Sequence, residues 1–79
     1  MSAKEMFEEL GYEIESDGNI SLIYIKYEED KDKETGCIHK IIFDKAFTRV
    51  AHTTNSCFDF IDYKELQAIN KQIEELGWK

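Results

Sequence analysis

The sequence predicts an α+β fold, an antiparallel sheet of three to five strands bracketed by an N-terminal and a C-terminal helix. Three observations carry that expectation. Phe7-Glu8-Glu9-Leu10-Gly11-Tyr12 and Ile73-Glu74-Glu75-Leu76-Gly77-Trp78 are nearly the same helix ending: leucine closes the last turn, glycine accepts a left-handed backbone, and the next aromatic folds back in a Schellman arrangement. Between these endings the apolar residues repeat with period two, as strands do. No proline or low-complexity stretch interrupts the 79 residues, so a single domain over 1–79 is expected.

The first helix is expected over about 3–10. Ser2-Ala3-Lys4-Glu5 fits a capping box, and Ala3, Met6, Phe7 and Leu10 form one apolar stripe. Tyr12-Glu13-Ile14-Glu15 alternates and Asp17-Gly18-Asn19 is a turn. Ile20–Tyr27, rich in β-branched and aromatic residues, completes a hairpin. Glu29–Gly36 reads as a charged loop, Cys37–Phe43 as a second long strand, Asp44-Lys45-Ala46 as a tight turn and Phe47–Thr53 as a third strand, with Cys57–Ile61 as a short edge strand. The last helix, about 63–76, opens with a second capping box at Asp62 and Glu65 and a staple of Ile61 on Leu66. Its core stripe is Leu66, Ile69, Ile73 and Leu76.

Composition narrows the function classes. At 42% hydrophobic and 13% aromatic, the chain is too apolar to stay disordered. It shows neither a membrane-length apolar run nor the pattern of a signal peptide, so the cytosol is the expected setting, with Cys37 and Cys57 reduced. The net charge of −7 is uneven: residues 1–34 hold eleven acids against four lysines, while residues 35–79 balance. Nucleic acid is therefore a disfavoured partner, because phosphate binding needs a basic footprint.

The chemistry-bearing residues point to no catalytic site and no cofactor. Cys37, His39, His52 and Cys57 are the one set resembling metal ligands, but they lack the tight paired spacing of zinc sites. If the turn pairs Phe43 with Thr48, His39 and His52 face each other across the ladder. Asp30, Asp32, Glu34 and Gly36 hint at calcium, yet Thr35 and Ile41 stand where a calcium loop needs glycine and glutamate. No glycine-rich phosphate loop and no nucleophile–base spacing occurs, so no enzyme is expected. Glu8-Glu9 and Glu74-Glu75 oppose their helix macrodipoles, which leaves an acidic docking surface as one reading and a solvated face, with Lys71 pairing Glu75, as the other.

The two long strands are apolar on both faces. Ile20, Leu22 and Tyr24 alternate with Ile23, Ile25 and Tyr27, and Ile41 and Phe43 with Ile38 and Ile42. Two helices on one side would leave the other face bare, and such a face marks a contact with another protein or with a second copy. The residues expected to bind protein there are Tyr24, Tyr27, Ile38, Ile42, Phe47 and Arg49. The alternative is an acidic mimic or inhibitor, whose carboxylates within residues 5–34 occupy a basic site on a nucleic-acid-binding or host-defence protein.

Residues 3–13 and 64–78 together resemble the ends of small, generally uncharacterised phage and prophage proteins of Gram-positive bacteria. The similarity covers roughly a third of the chain with any specificity, the middle matching only in strand pattern and length. What the resemblance implies is a phage-derived accessory protein of the host cytoplasm, with no active site to carry over.

Overall fold

Helix stops written into the sequence set the ends of the fold. A computed structural model describes residues 1–28, 37–55 and 60–78 of the chain. Its elements run α1 (Ala3–Glu9), β1 (Glu13–Asp17), β2 (Ser21–Glu28), β3 (Cys37–Asp44), β4 (Arg49–Thr54) and α2 (Tyr63–Glu75). After α1 the Gly11 N–H donates to the Glu8 carbonyl and the Tyr12 N–H to the Phe7 carbonyl; after α2 the same pair of bonds runs from Gly77 to Glu74 and from Trp78 to Ile73. Both are Schellman motifs, with Gly11 and Gly77 at φ 92° and 76°. At Gly11 a Cβ would also press on the Lys26 stem at 3.3 Å.

The helix starts differ from each other. Ser2 and Glu5 form the full capping box, which holds the Glu5 carboxyl below its usual range chiefly through the Ser2 backbone hydrogen bond. At α2 the Asp62 side chain accepts from the Glu65 N–H, but the Glu65 carboxylate turns inward and accepts from the Tyr12 hydroxyl at 3.1 Å.

The strands pair antiparallel in chain order, β1-β2-β3-β4. A bulge in β1 between Ile14 and Ser16 frees Glu15 from the ladder. The expected third strand begins two residues late, at Arg49, because the Asp44 carboxylate accepts the amides of Ala46 and Phe47 and Thr48 adopts φ 50°, lengthening the turn. Phe43 accordingly pairs with Val50, not Thr48. His39 then lies opposite Thr54 and His52 opposite Ile41, so the histidines are diagonal neighbours rather than a facing pair. The charged loop, including the calcium-like positions, and residues 57–59 of the fifth strand lie outside the described residues; Phe60 and Ile61 are not in a strand.

Both helices pack on one face. Phe7 stacks on Tyr24 with ring centroids 4.0 Å apart and meets Tyr12 and Phe43 edge-on, a cluster to which Leu22, Ile41, Ala68 and Ile69 add their burial. The expected stripe of α2 is rotated. Leu66 is 50% exposed, while Glu65, Ala68, Ile69 and Gln72 are buried. The rotation follows from polar partners on the sheet side: the Tyr24 hydroxyl donates to Gln72 Oε1 at 2.7 Å, as Tyr12 does to Glu65. The helices run antiparallel, and the Ala3 N–H donates to Glu75 Oε2 at 2.7 Å. Glu75 therefore neutralises the start of α1 rather than pairing Lys71, which lies 3.9 Å from Glu74.

Candidate functional site

The strand pleat sends every second residue away from the helices, so the register sets out the open face in rows. Glu13, Ile25, Lys40 and Thr53 form one row across the sheet; Ser16, Ile23, Ile42 and Ala51 form the next. Tyr27 and Ile38 flank them at one end, and Ser21, Asp44 and Arg49 at the other. The middle of this face is isoleucine. Lys40 Nζ on β3 reaches Glu15 Oε2 on β1 at 3.3 Å. With β2 between them, that ion pair crosses the centre of the face, where Ile25, the cross-strand neighbour of Lys40, is only 5% exposed.

Five of the six residues expected to bind protein are at or beside this face, and one is not. Tyr24 belongs to the helix-covered side: it is 2% exposed and bonded to Gln72, so it is core. The error follows from the two-residue repeat, since Tyr24 and Tyr27, three apart, must point to opposite faces. Tyr27 is 66% exposed, Ile38 and Ile42 are half-buried, and Ile38 joins Lys40, Thr53, Thr54 and Asn55 around a shallow depression. Phe47 sits in the β3–β4 turn, 71% exposed, with the Arg49 guanidinium 5.0 Å from its ring centre. Arg49 Nε also donates to Asp44 Oδ2 at 2.9 Å, which holds the Asp44 carboxyl below its usual range. Phe47 and Arg49 therefore brace a turn whose apolar tip is offered to solvent. Ile23, Ile25 and Ala51 complete the face, and counting by two from Ile42 and its partners would have found them.

A second cluster lies beneath the helices. Glu65 accepts from Tyr12, stands 3.9 Å from Lys26 Nζ, and that ammonium lies 4.9 Å from the Tyr12 ring centre. Next to Lys26 on the covered face, His39 stacks on His52 with centroids 6.1 Å apart. Among the described residues no group of three or more His, Cys, Asp or Glu is placed to hold a metal ion, and Cys57 and the Cys37 side chain lie outside them. The Tyr12–Glu65–Lys26 contacts fasten the start of α2 to β2, a structural task.

No helix among the described residues is long and apolar enough to cross a membrane. Exposed apolar side chains also gather before and within the first turn of α2, at Phe60, Ile61, Tyr63 and Leu66. No protein-family model, curated protein or solved structure matches the chain.

Proposed function

We propose that this chain is a non-enzymatic accessory protein that works by protein–protein contact through the open face of its sheet. One observation carries the reading: both helices cover the Leu22–Tyr24–Ile41–Phe43 side, leaving Ile23, Ile38, Ile42, Tyr27 and Ala51 with no secondary-structure layer over them among the described residues. Apolar area of this kind is stabilised by removal from water, at roughly 25 cal/mol per Å². The resemblance of the chain ends supports a phage-derived role in the host cytoplasm.

The test is Ile42→Glu. The variant is expected to stay folded, losing less than about 1 kcal/mol in urea unfolding, while protein captured by the wild type from host lysate is lost. Equal capture by both proteins, or a variant that simply unfolds, overturns the reading.

A second reading, an acidic mimic of a basic-site ligand, is favoured by the exposure of Glu5, Glu8, Glu9, Glu13, Glu15 and Asp17 along α1 and β1. Salt separates the two. Capture that collapses between low and moderate ionic strength supports the mimic, whereas an apolar contact barely responds.

A further inference from the structure

We infer that Asp17-Gly18, at the turn between β1 and β2, is a site of spontaneous backbone isomerisation, and that Lys45, reaching in from the turn between β3 and β4, is the latch that sets its rate. The site lies at the tip of the sheet and is independent of the docking reading above.

The chemistry needs an aspartate followed by a residue that leaves room around its own backbone nitrogen. That nitrogen attacks the aspartic Cγ, the Cγ–O bond breaks, and one water leaves as a five-membered succinimide closes. Water then adds back. Hydrolysis of the ring bond to Cγ restores aspartate; hydrolysis of the bond to the main-chain carbonyl carbon leaves isoaspartate, in which the chain runs through Cβ and Cγ. Mass is unchanged and no other reactant enters. Gly18 supplies the room: a Cβ built there would meet only the Ser21 carbonyl oxygen, at 4.0 Å. Its φ also lies outside the left-handed region, so neither space nor backbone conformation requires glycine at this position. Residues 13–20 are all exposed, and the Asp17 side chain keeps 59% of its surface in water.

Two sets of bonds hold the reaction back. The Gly18 N–H donates to the Ser21 carbonyl at 2.9 Å, which engages the attacking nitrogen. Lys45 Nζ donates both to Asp17 Oδ1 at 3.2 Å and to the Gly18 carbonyl at 2.7 Å, and the Lys45 N–H donates to the Ile20 carbonyl at 2.8 Å. One ammonium thus fixes the carboxylate relative to the glycine whose nitrogen it must meet. These bonds are all at the surface, on a five-residue strand exposed along its whole length, so the turn opens locally at low cost and the ring closes from the opened form. Once isoaspartate forms, its carboxylate sits directly on Cα and the chain is one methylene longer, which breaks the Lys45 tie between the two turns.

Ageing the full chain for weeks at physiological temperature and near-neutral pH tests this, with isoaspartate measured by enzymatic methylation of its carboxylate and located by peptide mapping. The wild type is expected to accumulate it at residue 17. Lys45→Ala, which removes the ammonium but not the Lys45 backbone bond, is expected to react about threefold faster or more. Asp17→Glu would have to close a less favoured six-membered ring, and the Cβ of Gly18→Ala hinders the attack without disturbing the turn. Each is expected to slow the reaction about tenfold or more. Native circular dichroism is checked for every variant, and salt gives a reading that needs no mutation: it should speed the wild type by screening the Lys45–Asp17 bond and leave Lys45→Ala unchanged. A wild type with no isoaspartate at residue 17, or a Gly18→Ala chain that isomerises as fast, overturns the site. A Lys45→Ala rate equal to that of the wild type, or the same salt response in both, overturns the latch.

Discussion

The two faces of the sheet use neighbouring residues of the same kind for opposite ends. Ile41 is fully buried under the helices, while Ile42, the next residue, lies half-buried on the open side. The covered face adds aromatic rings that stack and hydroxyls that hydrogen-bond the helices: Phe7 on Tyr24, Tyr24 on Gln72, Tyr12 on Glu65. Among the described residues the open face has mainly aliphatic side chains, with Tyr27 toward one end, the Lys40–Glu15 ion pair drawn across the middle and the Arg49–Asp44 pair at the other end. Apolar alternation alone is therefore common to both faces. What distinguishes them is polar chemistry at the ends of the large side chains, which gives the helices a defined seat.

Breaking the covered face should have the largest effect. Phe7→Ala, at a fully buried position in the aromatic cluster, is expected to cost about 3–5 kcal/mol in urea unfolding. The open-face change Ile42→Glu is expected to cost under about 1 kcal/mol. Similar losses for the two would erase the distinction drawn here.

Alkali should act on the covered face next. Burial pushes the Tyr24 phenol from 10.0 up to about 12, with Glu75 and other acids adding to the shift. The fold favours the protonated phenol, so this contribution is complete below pH 10 and is lost as pH rises through about 12. Two units correspond to about 2–3 kcal/mol. Stability measured by urea between pH 9 and 12 should fall by that order in the wild type, and Tyr24→Phe should flatten the fall. An unchanged slope in the variant would assign the loss to other groups.

The smallest effect belongs to the ion pair over the open face. Lys40 and Glu15 are each more than a third exposed, so Lys40→Ala is expected to cost only about 0.2–1 kcal/mol, and less in high salt. A larger, salt-independent loss would mean that the lysine stem, cross-strand neighbour of Ile25, matters more than its charge.

Much of the fold was legible because it depends on local rules. Gly11 and Gly77 stop the helices where the backbone must turn left-handed, Ser2 and Asp62 begin them, and the two-residue repeat sorts each strand into two faces. The candidate site was legible in part. Ile38, Ile42 and Tyr27 follow from that repeat, but Tyr24 was misplaced, and Phe47 fell in a turn because the carboxylate hydrogen bonds of Asp44 are not visible in a hydrophobic pattern. Leu66 and Glu65 exchange their expected places for a similar reason. Their positions answer to hydroxyls that approach from β2 and from the turn before β1, far away in the chain.

What the sequence determined by itself was the kind and order of the elements, since capping, helix stops and strand periodicity act over a few residues. Tertiary structure alone decided that both helices share one face and how far α2 is rotated. Those outcomes depend on contacts between residues dozens of positions apart, where packing and buried hydrogen bonds outweigh local preference.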